Sequence, residues 1–577
     1  MVFAASLLLI AVATLMFFGW GSAFRRLFRL EPVNPPLTVV LGMAAVVFIG
    51  GILNLARFAY PPALVVLAVI GVVLAIRPAL SLVRPPVLIS VLILMVLIFT
   101  TTTQLPPSIY NFHDDYQKYF AYPIRMVETG TVFGSTLSAM GLQTLGAQAF
   151  LDGFVVGFFP IRYINGVDAV FGLFLCLMLA TQFSKSRATT LVCVLSVILI
   201  NPQYVNVSTL FCGSALIMAM IAVEDPPSLG LLCAALIAMK PIYAVFIAIY
   251  LLASAFIAAG GIRWAIRAGL AAALFLSPWA LVHAPNYAAA FRTHHPALTP
   301  VPGEIDTQRL NLFSFEPLAY GSTAANYTLL VIAIAACGMI CRRSSRKTLA
   351  CAITGVATFL VFVYVLGPLQ YGYEHGLRYF TPVAIALAPA IFAWTASVQS
   401  RAWLPMLIAA VPLAAFGPSL RARFAMALET HSAVSYAWLA KDPVYVAYNR
   451  RVLSPSERDD VQVLQDRVPA GETILAWMNT PFYLDYKRNR IIDIDTAGIA
   501  VPWASVPRAR YLIWDYAGFA TADEADYEDR ALNAGAGERK DSLATIDFMH
   551  RLDHVVENGE VLFDDGKIRL VRLLSPP

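Results

Sequence analysis

The chain has 577 residues, of which 59% are hydrophobic and 13% charged, with a formal net charge of +5. Soluble domains carry about a quarter charged residues, so this balance excludes an ordinary soluble protein, and so small a net charge does not fit a nucleic-acid partner. The apolar residues run on for about the length that crosses a bilayer. The chain therefore reads as a polytopic α-helical membrane protein of about fourteen transmembrane helices.

Apolar runs predict membrane helices at 4–24, 37–58, 63–76 and 87–103, and the first lacks the basic flank of a cleaved signal, so it reads as retained. These N-terminal helices occupy 1–104, and a polar and aromatic stretch follows over 105–165. The bundle resumes over 166–418, with helices expected at 166–182, 189–200, 209–223, 229–239, 242–259, 268–283, 327–340, 349–366, 379–398 and 403–416. The 7 cysteines lie in or beside these runs without a CxxC pair, which argues against a disulfide framework or a zinc site.

Basic residues in short loops set the orientation. With the N-terminus outside, the inner loops carry Arg25, Arg26, Arg29, Arg77, Arg84, Lys185, Arg187, Arg263, Arg267, Arg342, Arg343, Arg346, Lys347 and Arg401. Glu224-Asp225 breaks that pattern. The outer face then receives 105–165, the loops 284–326 and 367–378, everything after Arg421, and all 8 histidines. This predicts a multi-pass inner (plasma) membrane protein of bacterial type, with its reaction centre on the periplasmic face. Residues 419–577 have the composition of a small soluble α/β domain: helices near 456–468 and 541–552, strands near 472–477, 490–494 and 510–514, and a closing hairpin around Asp564-Asp565-Gly566.

In the large outer loop, Asn111-Phe112-His113-Asp114-Asp115-Tyr116-Gln117-Lys118-Tyr119-Phe120 sets two adjacent carboxylates beside a histidine and a lysine, next to a membrane segment. Charge held there is costly and raises a functional question. Downstream, apolar residues such as Tyr122, Ile124, Met126 and Val127 alternate with charges, as in helices lying in the interface plane, and Asp152 and Arg162 bracket a further apolar piece. Lys240 is the one charge in a tight outer turn, and Glu374, His375 and Arg378 stand at the mouth of a late helix. A guanidinium at headgroup depth suits bidentate phosphate recognition. His294-His295 with Glu304 and Asp306 has no metal-ligand spacing. There is no phosphate loop, dinucleotide fingerprint, HExxH or GxSxG elbow.

The acidic pair in the first large outer loop, Arg378-Tyr379 at a late helix mouth and the outer C-terminal domain opening on Val468-Pro-Ala-Gly-Glu-Thr-Ile-Leu-Ala-Trp together resemble the GT-C glycosyltransferases. The branch resembled is that of the protein O-mannosyltransferases and the lipid A aminoarabinose transferase. One departure is plain: in that branch the pair follows the first membrane helix, whereas here about four precede it. The resemblance implies a polyprenyl-phosphate-linked sugar donor, a glycan, lipid or protein acceptor, and an inverting transfer with Asp114 as general base and Asp115 orienting it. His113, Lys118, Tyr119, Lys240, Glu374, His375 and Arg378 would contact substrate. The chemistry is self-consistent, since cations that neutralise the lipid phosphate make it a leaving group, and only the acceptor hydroxyl then needs a base. The sequence makes no cofactor certain; some GT-C enzymes use a divalent cation (Mg or Mn) near this motif, a point the sequence leaves open. Two other classes remain: an O-antigen ligase or polymerase relying on the 371–378 stretch, and a transporter or flippase for a lipid-linked or amphipathic substrate. The latter predicts inverted repeats, and none is visible.

Overall fold

The computed structural model describes residues 2–31, 33–80, 109–110, 117–135, 138, 140–159, 161, 164, 166–200, 209–258, 261–292, 323–367, 373–399, 403–429, 451–452, 455–495, 508–515, 528, 532 and 536–574. The first three helices, α1 (Val2–Leu27), α2 (Pro35–Leu55) and α3 (Pro61–Leu80), pack on one another through glycines. A Cβ at Gly19, Gly21 or Gly42 would land on the backbone of a neighbouring helix. Small residues at such crossings let helix backbones touch where lipid gives no hydrophobic drive.

Two short helices follow, α4 (Ala121–Thr129) and α5 (Ala147–Val156). The bundle then continues with α6 (Leu173–Ala180, entered through a wider turn at Gly166–Gly172), α7 (Arg187–Leu199), α8 (Phe211–Ala222), α9 (Pro226–Met239) and α10 (Tyr243–Phe256). Next come α11 (Gly261–Val282), α12 (Ala284–Arg292), α13 (Ala324–Cys341), α14 (Arg346–Val361), α15 (Tyr373–Val398) and α16 (Trp403–Glu429). Among the described residues, 6 helices are long and apolar enough to cross a membrane. The other expected segments are apolar helices too short for that length, such as Pro226–Met239 and Tyr243–Phe256. The segment expected at 87–103 lies outside the described residues, and α16 runs on past Pro418, where the composition changes.

The centre of the bundle is α15, whose stretch from Val383 to Ala393 is buried throughout. It carries Pro382 and Pro389 inside its length. The Pro389 carbonyl accepts from Cys193 Sγ at 3.3 Å, and Thr381 meets the Tyr327 hydroxyl at 2.6 Å. Neighbouring helices thus supply partners to the helix around its prolines. At one end of the bundle the Glu224-Asp225 loop finds its explanation. Glu224 pairs with Lys347 at 3.3 Å and its carbonyl accepts from Trp264 at 2.7 Å, while Asp225 caps α9 by accepting the Ser228 N–H at 2.8 Å. Both carboxylates are occupied by helix ends and a basic neighbour.

The C-terminal unit is a five-stranded sheet in the order β4-β3-β5-β7-β6. Strands β3 (Thr473–Trp477), β4 (Arg490–Asp493) and β5 (Tyr511–Asp515) run parallel, and β6 (Glu560–Asp564) with β7 (Ile568–Arg572) closes the sheet as an antiparallel hairpin. Period-two alternation sends Leu475, Trp477, Leu512 and Trp514 against Phe548, Met549 and Leu552 of α18 (Ala536–Glu557). Ile474, Ala476, Ile491 and Ile513 face Val461 and Leu464 of α17 (Pro455–Asp466) on the other side. Gly566, at φ 83, makes the hairpin turn. The strand pair β1 (Ile109–Tyr110) and β2 (Arg451–Val452) adds an antiparallel link between the large loop and the chain entering this unit.

The loop helices depart from expectation. Neither α4 nor α5 lies exposed in an interface plane. Ala121, Tyr122, Pro123, Arg125, Met126 and Val127 of α4 are buried, and α5 is buried along most of its length. Asp152, expected at the edge of an apolar piece, sits inside α5 and bonds Gln148 at 3.0 Å. The alternating pattern is that of a helix covered on one side by the bundle and on the other by the sheet unit.

Candidate active site

The turn at Lys240 is held from two sides. Lys240 ends α9 in an extended conformation, and Pro241 stops the helix there. The loop at 144–145 pins the turn: Leu145 N–H donates to the Ala238 carbonyl at 3.1 Å and Thr144 Oγ1 to the Met239 carbonyl at 2.8 Å. Lys240 Nζ lies over the Tyr379 ring, 5.2 Å from its centre. Tyr379 and its neighbour Arg378 belong to the opening turns of α15, which sit close against α14. A Cβ at Gly376 would meet the Phe362 carbonyl, so the glycine permits that approach. Tyr243, at the start of α10, is buried with its ring 6.4 Å from Phe362 and lies within electrostatic reach of Tyr379, Asp168, Arg378 and Tyr119. Of the candidates, Lys240 thus meets the opening turns of α15 at Tyr379, the residue after Arg378. Lys118 is half-buried beside Tyr119.

Asp114, Asp115 and His113 lie outside the described residues, as do the side chains of Glu374 and His375, whose backbone falls in the first turn of α15. The described residues continue from Gln117. From there to Ser138 the chain is bound to the C-terminal unit by a buried polar network. Gln117 Nε2 donates to Asn479 Oδ1 at 3.3 Å, the Tyr122 hydroxyl to Asp495 Oδ2 at 2.7 Å and Ser138 Oγ to the same oxygen at 2.8 Å. Arg125 pairs with Asp493, both side chains 2% exposed, and its guanidinium lies 5.3 Å from the centre of the Tyr486 ring. The Tyr486 hydroxyl donates to Asp493 Oδ2 at 3.1 Å, and its N–H to Glu128 at 2.8 Å. Phe120 packs edge-on against Phe482 at 5.2 Å. Burial, with the Asp495 charge second, pushes the Tyr122 phenol well above its ordinary range, so it stays a donor. Burial also raises the Glu128 carboxyl, opposed by the Tyr486 N–H.

Three more polar groups support this region. Asp168, at the entry to α6, accepts three backbone N–H groups at the start of α8: Leu210 at 3.0 Å and Phe211 at 3.1 Å on Oδ2, and Cys212 at 2.8 Å on Oδ1. His283, just beyond α11, is fully buried; its Nε2 meets the Leu145 carbonyl at 2.8 Å, and its ring lies against Gly141. Burial lowers its pKa to about 4, so it stays neutral and braces the 141–145 loop. Asn286, one turn on, donates to the Met140 carbonyl at 2.7 Å and the Ser135 carbonyl at 3.3 Å. Among the described residues no three His, Cys, Asp or Glu side chains gather as a metal site.

Sequence reasoning missed Arg125, Asp168, Asp493 and Asp495. A lone arginine among apolar residues and an Asp-x-Asp ending a strand are faint signals, and Arg125 and Tyr122 lie hundreds of positions from Asp493 and Asp495, Asp168 some forty from its donors.

No family model and no curated protein sequence matches the chain. Among solved structures it is similar to the crystal structure of ArnT from Cupriavidus metallidurans bound to undecaprenyl phosphate. That similarity has a TM-score of 0.46 and 12% identity over 85% of this chain and 98% of that one. The same protein in the apo state is similar with a TM-score of 0.41 and 12% identity, over 84% and 97% of the two chains.

Proposed function

We propose that the chain is an integral-membrane glycosyltransferase of GT-C type, moving a sugar from a polyprenyl-phosphate carrier to an acceptor hydroxyl on the outer face of the membrane. The observation that supports this is Lys240 Nζ lying over the ring of Tyr379, the residue after Arg378 in the opening turns of α15. In this reading the two cations take the lipid phosphate, which leaves with the electron pair of the bond from its oxygen to the sugar C1. Asp114 takes the proton of the acceptor hydroxyl as that oxygen bonds to C1 from the opposite face, and Asp115 orients the acceptor. One displacement inverts the anomeric centre. Glu374, His375, His113 and Lys118 are proposed sugar or acceptor contacts, and a divalent cation beside Asp114-Asp115 belongs to the same proposal.

Binding of undecaprenyl phosphate to the purified protein in nanodiscs tests the cation pair. Lys240→Met and Arg378→Met each weaken binding by about tenfold or more, the loss of one charge-assisted phosphate contact. Native affinity in both variants refutes the assignment.

A further inference from the structure

One edge of the C-terminal sheet is joined to the large loop by a buried polar network. The path goes from β3 to its neighbour β4 on one side and then to β5 on the other. β3 and β4 run parallel, so their carboxyl ends open on the same edge of the sheet. Asn479, just past β3, with Asp493 and Asp495 at the end of β4, stands at that edge. What they hold is the large loop: Arg125 on Asp493, Tyr122 and Ser138 on Asp495, and Gln117 on Asn479. Ser135 Oγ adds a bond to the Asp493 carbonyl at 3.1 Å, and Gly134 leaves room for the Arg125 guanidinium, on which a Cβ would fall. The geometry points to a clamp: Asp493 and Asp495 are positioning residues that act through Arg125, Tyr122 and Gln117 to fix the stretch from Gln117 to Ser135, which follows Asp114-Asp115 in the sequence. The C-terminal unit thus holds the loop whose sequence carries the acidic motif. The consequence for transfer rests on the function proposed above; the clamp itself does not.

A buried ion pair can be replaced by apolar side chains of similar volume with stability kept, and this separates positioning from mere support. The paired variant Arg125→Met/Asp493→Leu retains the native thermal midpoint. In the full-length protein, hydrogen exchange of the amides of 117–120 accelerates by about tenfold or more once the clamp's angular hold is gone. Turnover with a panel of undecaprenyl-phosphate sugars falls by about tenfold to a hundredfold, the scale expected for misplacement of a reacting group, while the affinity for undecaprenyl phosphate stays native. Tyr122→Phe, which removes one hydroxyl and fills the same space, shifts both readouts in the same direction by a smaller factor. Native exchange at 117–120 in both variants overturns the clamp, whatever happens to transfer. Faster exchange in a protein whose native form transfers no sugar supports the clamp and refutes the transferase reading.

Discussion

Replacing Asp168 by Asn isolates the electrostatic hold between the entry to α6 and the start of α8. The carboxylate accepts three N–H groups, two on one oxygen and one on the other, at 2.8–3.1 Å. The amide keeps the shape but only one acceptor oxygen. It either retains Leu210 and Phe211 and turns its own N–H toward Cys212, or retains Cys212 and abandons the other two. At least one buried donor is left unmade, at about 1–3 kcal/mol. Loss of the negative charge from the helix N-terminus adds about 0.5–2 kcal/mol. The sum is ~3 kcal/mol. At the ~2 °C per kcal/mol of large cooperative units, this lowers the thermal midpoint in detergent by roughly 6 °C. Asp168→Ala, which leaves all three donors without that acceptor, lowers it further. A midpoint for Asp168→Asn within about 1 °C of native refutes the reasoning, since one buried donor left unsatisfied would alone cost more.

Acid sensitivity follows from His283. Its folded pKa, about 4, lies below the ordinary 6.5, so between those values the unfolded chain binds the extra proton. Stability is therefore full above about pH 6.5 and lost as pH falls toward 4, by up to ~3 kcal/mol; a His283→Gln variant flattens that dependence, and an unchanged pH profile of its midpoint refutes the assignment. Gly134→Ala displaces the Arg125 guanidinium and strands Asp493, at ~3–5 kcal/mol, whereas Gly417→Ala, with nothing near its Cβ, leaves thermal melts unchanged to within ~1 kcal/mol. His375→Ala compared with Asp114→Asn separates transferase from ligase chemistry: the account predicts the greater loss of sugar transfer in Asp114→Asn, and the reverse order favours an enzyme built on the 371–378 stretch.

Much of the architecture is legible in the sequence because membrane helices and half-buried strands write their period into local composition. The runs at 37–58 and 327–340 and the strands around Trp477 and Trp514 need no partner to be recognised. Lys240 and Arg378 stand out for a similar reason, as cations where hydrocarbon surrounds them. The clamp is illegible for the opposite reason. Arg125 and Asp493 are ordinary charges until the fold brings a loop helix against strand ends 368 positions away in the chain. Tyr122, Met126 and Val127 read as an interfacial stripe because burial against lipid headgroups and burial against a protein sheet demand the same alternation. Asp152 and Asp168 likewise carry no local mark of the backbone and side-chain donors that hold them.

The most direct test is sugar transfer by the protein reconstituted with undecaprenyl-phosphate sugars, measured for Asp114→Asn and Asp115→Asn alongside binding of undecaprenyl phosphate. The account predicts transfer reduced by at least about a hundredfold in Asp114→Asn, the scale of general-base catalysis, with the lipid phosphate bound as tightly as by the native protein. Native transfer by both variants contradicts it.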